Sequence, residues 1–196
     1  MTQLIEECLK ENGVYHGNQP IFQAHEAYLN QLIAILKGTP KEPGNFNRDY
    51  PEIIQGAKRL DYLMTVYQES PSEKIAKSFS ETLYQLKNQL KAGTIELAKE
   101  YRHQMNDDKQ TFANLEALHS LYQAKNKDYG DSFSKSVGDF GYIAMLVRIS
   151  DKLNRIQNLK AKQAGDRLVF DETIEDSYLD ALNYLLMSQM ALDTKN

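Results

Sequence analysis

Apolar residues along this chain recur at intervals of three and four, and no stretch alternates with period two for long enough to argue a sheet. Ile53, Ala57, Leu60, Met64 and Tyr67 make one such stripe, and Ile75, Phe79, Leu83, Leu86 and Leu90 make another. Tyr142, Leu146, Ile149, Leu153 and Ile156 step by four, three, four and three, the spacing of a packed helix seam. Ile174, Tyr178, Leu182, Leu185 and Leu186 give a last buried face. The pattern predicts an all-α protein, a helical bundle in which the last two helices form an antiparallel hairpin.

Start and stop signals divide these stripes. Thr2 can cap a first helix running to Asn12-Gly13, and Asn18-Gln19-Pro20 opens a second that carries Tyr28, Leu29, Leu32, Ile33 and Leu36 to Gly38. Thr39 to Asn47 reads as a loop. Asp49-Tyr50-Pro51-Glu52 has the form of a capping box, and Ser70-Pro71-Ser72-Glu73 reads as a cap at Ser70, proline at the first helical position and glutamate at the third. Gly93 predicts a break, followed by a short helix with Ile95, Leu97, Ala98 and Tyr101. Asn106-Asp107-Asp108 is the next break, after which Phe112, Leu115, Leu118 and Tyr122 lead into a lysine-rich loop at Lys125 to Phe133. Gly130, Gly138 and Gly141 keep that loop from being a simple helix continuation, Gly165-Asp166 marks a turn, and Asp171 can cap the final helix. The chain is divided at the break into a helical region 1–106 and a C-terminal region 107–196; whether the first is a separate domain stays open.

Composition narrows the function classes. A hydrophobic share of 41% and a charged share of 26% suit a soluble globular domain, and the net charge of −4 argues against a non-specific nucleic-acid coat while leaving a local basic patch, and nucleic acid as a partner, open. The longest apolar run, Leu32 to Leu36, is too short to cross a bilayer, and Glu6 and Glu7 stand where a secretory signal would be basic. The single cysteine, Cys8, can form neither an internal disulfide nor a cysteine metal site, so the cytoplasm is the expected compartment. The four histidines, His16, His25, His103 and His119, include no His-Asp dipeptide and no pair four apart, and no phosphate-binding glycine loop of the Walker type occurs.

Candidate chemistry concentrates in three polar segments of the last third. Glu172, Asp176 and Asp180 fall four apart on one helix face, with Asn183 beside them. A row of like charges is explained by something cationic in front of it, either Mg²⁺ or the basic residues of the preceding helix; a solvated acidic face is the bland alternative. Arg148, Asp151, Lys152 and Arg155 also lie three and four apart, as intrahelical ion pairs or as a stripe that holds phosphate oxygens with Asp151 joining the acids. Lys125, Lys127, Asp128, Tyr129 and Gly130 can hold a phosphate and stack a base, or can simply end a helix whose dipole favours lysine.

Together, Lys-x-x-Asp-Tyr-Gly at Lys125 to Gly130, Arg-x-x-Asp-Lys-x-x-Arg at Arg148 to Arg155, and the acidic run from Asp171 to Asn183-Tyr184 resemble the nucleotide modification associated domain 1 family of bacteria and their phages, over about residues 119–190. That family is similar in turn to the all-α MazG-like pyrophosphohydrolases, which hold Mg²⁺ with paired acids on two helices and split a nucleotide to monophosphate and pyrophosphate. The resemblance implies Asp151, Glu172 and Asp176 as catalytic, with Asp180 completing a Mg²⁺ site. It implies Lys125, Lys127, Arg148, Lys152 and Arg155 on phosphates, and Asp128, Tyr129, Gly130 and Asn183 elsewhere on the nucleotide. Arg148-x-x-Asp151 departs from the paired acids of the first helix, whereas Glu172-x-x-Glu175 keeps those of the second. Three functions therefore stand side by side. They are a Mg²⁺-dependent nucleotide hydrolase, a nucleotide-sequestering protein acting against host defence, and an interaction protein that binds a partner through its N-terminal helices. The four-three seam also allows a homodimer.

Overall fold

The computed structural model describes residues 21–161 and 173–193, together with Leu4 and Glu7. Seven helices follow one another: α1 (Ile21–Lys37), α2 (Phe46–Glu69), α3 (Glu73–Gln104), α4 (Asp108–Tyr129), α5 (Ser132–Phe140), α6 (Ile143–Ala161) and α7 (Ile174–Asp193). No strand occurs among the described residues, and the fold is all-α. The first expected helix lies outside the described residues except for Leu4 and Glu7, and so do the Gly165-Asp166 turn, Asp171 and Glu172.

One apolar cluster runs through every helix, from Leu29 of α1 to Leu192 of α7. Its spine is α3, 32 residues long, which packs on α2, α7 and α1. Nearly every side of α7 is covered, because it lies against both α3 and α6. A helix in that position must satisfy its polar groups internally, and Gln189 does so by donating from Nε2 to Thr94 Oγ1 of α3 at 2.9 Å. At the α6–α7 contact Lys152 meets Asp180 and Arg155 meets Ser177, so residue numbers rise on one helix as they fall on the other.

Several local signals resolve differently from the sequence reading. Gly93 does not break the chain; α3 runs straight through it. A Cβ at Gly93 would come within 2.9 Å of both Phe46 and Ile53, so the glycine lets side chains of α2 pack directly against the α3 backbone. The box at Asp49 to Glu52 does not start α2, which begins at Phe46 and carries Pro51 inside it. The earlier start is stabilised from outside the helix: the N–H groups of Asn45 and Phe46 donate to Glu96 and Glu100 of α3 at 3.0 and 2.8 Å. Ser70 closes α2 rather than capping α3, and Ser72 is the cap, accepting from the Ile75 N–H at 3.3 Å. The expected loop from Lys125 is helical as far as Tyr129, the end of α4; Gly130 at φ 61° and Asp131 at φ 53° then turn the chain into α5. Glycine, and less readily aspartate, accept this left-handed backbone. Gly138 sits within α5 and Gly141 ends it.

Helix α6 is held at its start by α2. Asp61 accepts from the N–H groups of Tyr142 and Ile143 at 2.7 and 2.9 Å, which satisfies two of the donors a helix start leaves open.

Candidate functional site

Four helices converge on a pocket of about 380 Å³. From α4 come Tyr122, Lys125, Asn126 and Tyr129, spaced three, one and three apart so that all share a face. The same spacing recurs on α7 with Asp180, Asn183, Tyr184 and Met187, while α6 adds Arg148 and Lys152 one turn apart. The turn at Gly130 brings Ser132 and Phe133 of α5 across one side.

Asp180 ties three of the helices together. Lys125 Nζ lies 2.9 Å from one carboxylate oxygen and Lys152 Nζ 2.9 Å from the other. Burial by itself would raise the Asp180 carboxyl, but the two ammonium groups outweigh it and hold the pKa below the usual carboxylate range. Arg148 has no ion-pair partner among the described residues and is exposed. Three cations thus face one carboxylate, a surplus of two positive charges on a wall of the pocket.

The remaining walls are aromatic. Phe133 and Tyr184 lie with ring centres 5.9 Å apart, and Tyr129 at the rim is 71% exposed, leaving its face free to stack. Tyr122 is buried beneath, stacked on His25 of α1 at 4.1 Å and 5°. Burial, with Asp131 nearby, pushes the Tyr122 phenol up to about 12, so it stays a neutral hydroxyl. Behind Asn183, His25 Nε2 stands 2.8 Å from the amide oxygen and His25 Nδ1 stands 3.1 Å from His119 Nδ1.

Of the residues singled out in the sequence, Lys125, Tyr129, Arg148, Lys152, Asp180 and Asn183 meet at this pocket. The others go elsewhere. Lys127 and Asp128 are exposed on the last turn of α4 and Gly130 is its C-cap. Asp151 is exposed on α6, and Arg155 donates to Ser177 Oγ at 3.1 Å. Asp176 forms a reciprocal cap with Thr173: the Thr173 N–H donates to its carboxylate at 2.8 Å and the Asp176 N–H donates to Thr173 Oγ1 at 3.0 Å. Glu175 accepts from Tyr101 and Asn114 on the far side of α7. Glu172 lies outside the described residues. No group of three or more His, Cys, Asp or Glu placed to hold a metal ion occurs among the described residues.

Tyr122, Asn126, Phe133 and Tyr184 were not singled out as site residues. The three-one-three spacing shared by α4 and α7 is the signal that joins Tyr122 and Asn126 to Lys125, and Tyr184 to Asn183. Nothing local points to His25, which lies 158 residues from its partner Asn183.

Fold and pocket define an all-helical protein with a cationic, aromatic-walled cleft. Residues 125–192 match the family described as Nucleotide modification associated domain 1, and that span holds every lining residue except Tyr122. No curated protein and no solved structure matches the chain.

Proposed function

We propose that the pocket binds a phosphorylated nucleoside, with its phosphates against Arg148, Lys152 and Lys125 and its base among Tyr129, Phe133 and Tyr184. The observation that carries this reading is the meeting in one cleft of three cations with the exposed ring of Tyr129 and the more deeply set rings of Tyr184 and Phe133, since a nucleotide needs both an anion site and a flat apolar wall. The volume is adequate, small-molecule pockets commonly falling at about 300–1,000 Å³. The name of the matching family points the same way.

A binding and sequestering role suits the donor set better than a resident Mg²⁺. A hard divalent cation takes several oxygen ligands, whereas the carboxylate at this pocket is clasped by two ammonium groups. A phosphate arriving there replaces Asp180 as the lysines' partner. Mg²⁺-dependent hydrolysis, through Asp151, Glu172 and Asp176, is the second reading, and one experiment separates the two.

The experiment is a thermal-shift series with nucleosides, inorganic pyrophosphate and nucleoside triphosphates, each with and without Mg²⁺, followed by chromatography of the recovered ligand. Triphosphates should stabilise the ligand-free fold by about 2.7 kcal/mol at a hundredfold excess over Kd, and more than nucleosides or pyrophosphate at the same concentration. Arg148→Met and Lys152→Met should each weaken binding by about tenfold or more, as for a lost charged hydrogen bond. Ligand recovered intact supports sequestration, and conversion to monophosphate and pyrophosphate makes the protein a hydrolase. Equal stabilisation by nucleosides and triphosphates would overturn the anion site.

A further inference from the structure

Asn183 differs from the other pocket residues because its amide is held from behind by residues of α1 and α4. Its side chain is 7% exposed and its oxygen lies 2.8 Å from His25 Nε2. An amide oxygen can only accept, so Nε2 carries the proton. A neutral imidazole has one N–H, which leaves His25 Nδ1 as an acceptor for the His119 Nδ1–H at 3.1 Å. Burial keeps His25 neutral, its pKa pushed down to about 4 against the raising effect of the Asn183 bond. The parallel stack on Tyr122 fixes the plane of the ring. With the amide oxygen turned to His25, the relay runs from His119 to His25 to the Asn183 oxygen.

The other end of the amide is then what the pocket meets. The Asn183 Nδ2 group has no protein partner among the described residues, is not sealed from solvent, and belongs to a residue of the pocket wall. An unrestrained asparagine could rotate to offer either oxygen or nitrogen. Here inversion would set the Nδ2 hydrogens against the His25 N–H unless both rings exchanged tautomers together.

Resting on the nucleotide reading above, we propose that His25 and His119 are positioning residues that make Asn183 a hydrogen-bond donor to the base. The pocket thereby selects bases with a carbonyl oxygen over those with an amino group at the same ring position. An amino group would meet the Nδ2 donors with donors of its own and leave both unpaired.

The test is calorimetric titration with two matched pairs, dUTP against dCTP and ITP against ATP, and with inorganic tripolyphosphate as a probe of the anion site alone. Each carbonyl-bearing nucleotide should bind about tenfold more tightly than its amino-bearing counterpart, the worth of one buried hydrogen bond and its mismatch. His25→Phe keeps a ring against Tyr122 but removes the donor, so the preference should collapse while tripolyphosphate affinity is unchanged. His119→Phe, at a half-buried position, provides a second variant and should lower the preference in the same sense. Equal binding within both pairs by the unsubstituted protein, or a preference that survives in both variants, would overturn this inference and leave the nucleotide reading intact. Tripolyphosphate binding without any nucleotide preference over it would strike the nucleotide reading itself, and this inference with it.

Discussion

Helix pairs α2–α3 and α6–α7 are both long apolar contacts, yet they use their acidic residues in opposite ways. In the first pair Glu96 and Glu100 lie on α3 and accept the N–H groups that begin α2. Burial opposes the charge on Glu96, but Lys99 and the Asn45 N–H outweigh it and its pKa falls. In the second pair Asp180 faces lysines from two different helices at the edge of a cleft. Both are stabilised carboxylates. The difference is that the first completes a backbone and the second neutralises cations that a ligand anion can claim. Within α7 itself the acids divide four ways, with Asp176 capping the helix, Glu175 bonded to Tyr101 and Asn114, Asp180 in the pocket and Asp193 bonded to Tyr28 and Lys87. Acidity alone did not decide these roles: a threonine three residues earlier claims Asp176, and the facing elements claim the rest.

The sharpest way to separate scaffold from site is Gly93→Val. Its branched side chain has to enter a space where a single Cβ already comes within 2.9 Å of Phe46 and Ile53. Overpacking of this kind should cost about 3 kcal/mol in chemical denaturation while leaving ligand affinity of the folded protein unchanged. A variant of undiminished stability would mean that α2 and α3 are not packed as closely as described.

Acid titration tests the region behind the pocket. His25 has a folded pKa near 4, below its unfolded value, so its contribution is present above about pH 6.5 and is lost as pH falls through 4. The loss should be on the order of 3 kcal/mol across that window, read as the difference between the pH–stability curves of the unsubstituted protein and His25→Phe. Coincident curves would show that His25 is not buried as a neutral ring.

Asp176→Ala carries a smaller expected effect. Loss of the reciprocal cap with Thr173 should lower stability by about 1 kcal/mol, with little change in nucleotide binding. Unchanged stability combined with abolished Mg²⁺-dependent turnover would move Asp176 from the scaffold to the chemistry.

Smallest of all should be the effect of Lys125→Met on folding. The ammonium and its partner Asp180 are part-exposed at 43% and 24%, so the ion pair is worth less than about 1 kcal/mol. Its effect should appear in ligand affinity instead, most clearly at low ionic strength. A large loss of stability without any loss of affinity would assign Lys125 to the helix junction.

Much of this molecule was readable from short-range pattern. The apolar stripes of α2, α3, α6 and α7 are buried as their spacing demands, with Ile53, Leu86, Ile149 and Leu182 all inaccessible. Six of the residues marked by their chemistry do meet at one pocket. Readings failed where a local signal had a distant partner. Gly93 looks like punctuation until Phe46 and Ile53 press against it, and the capping box at Asp49 loses to acceptors supplied by α3.

The sequence by itself determined the helical class, the buried faces and the stretch that supplies most of the pocket's charged and aromatic lining, because periodicity, caps and side-chain type act over one or two turns. Only the tertiary structure decided which acid faces lysine, which one meets Tyr101 and Asn114, and that a histidine from α1 reaches across to Asn183. Those choices depend on contacts between residues up to 158 positions apart, whose energies exist only once the helices have packed.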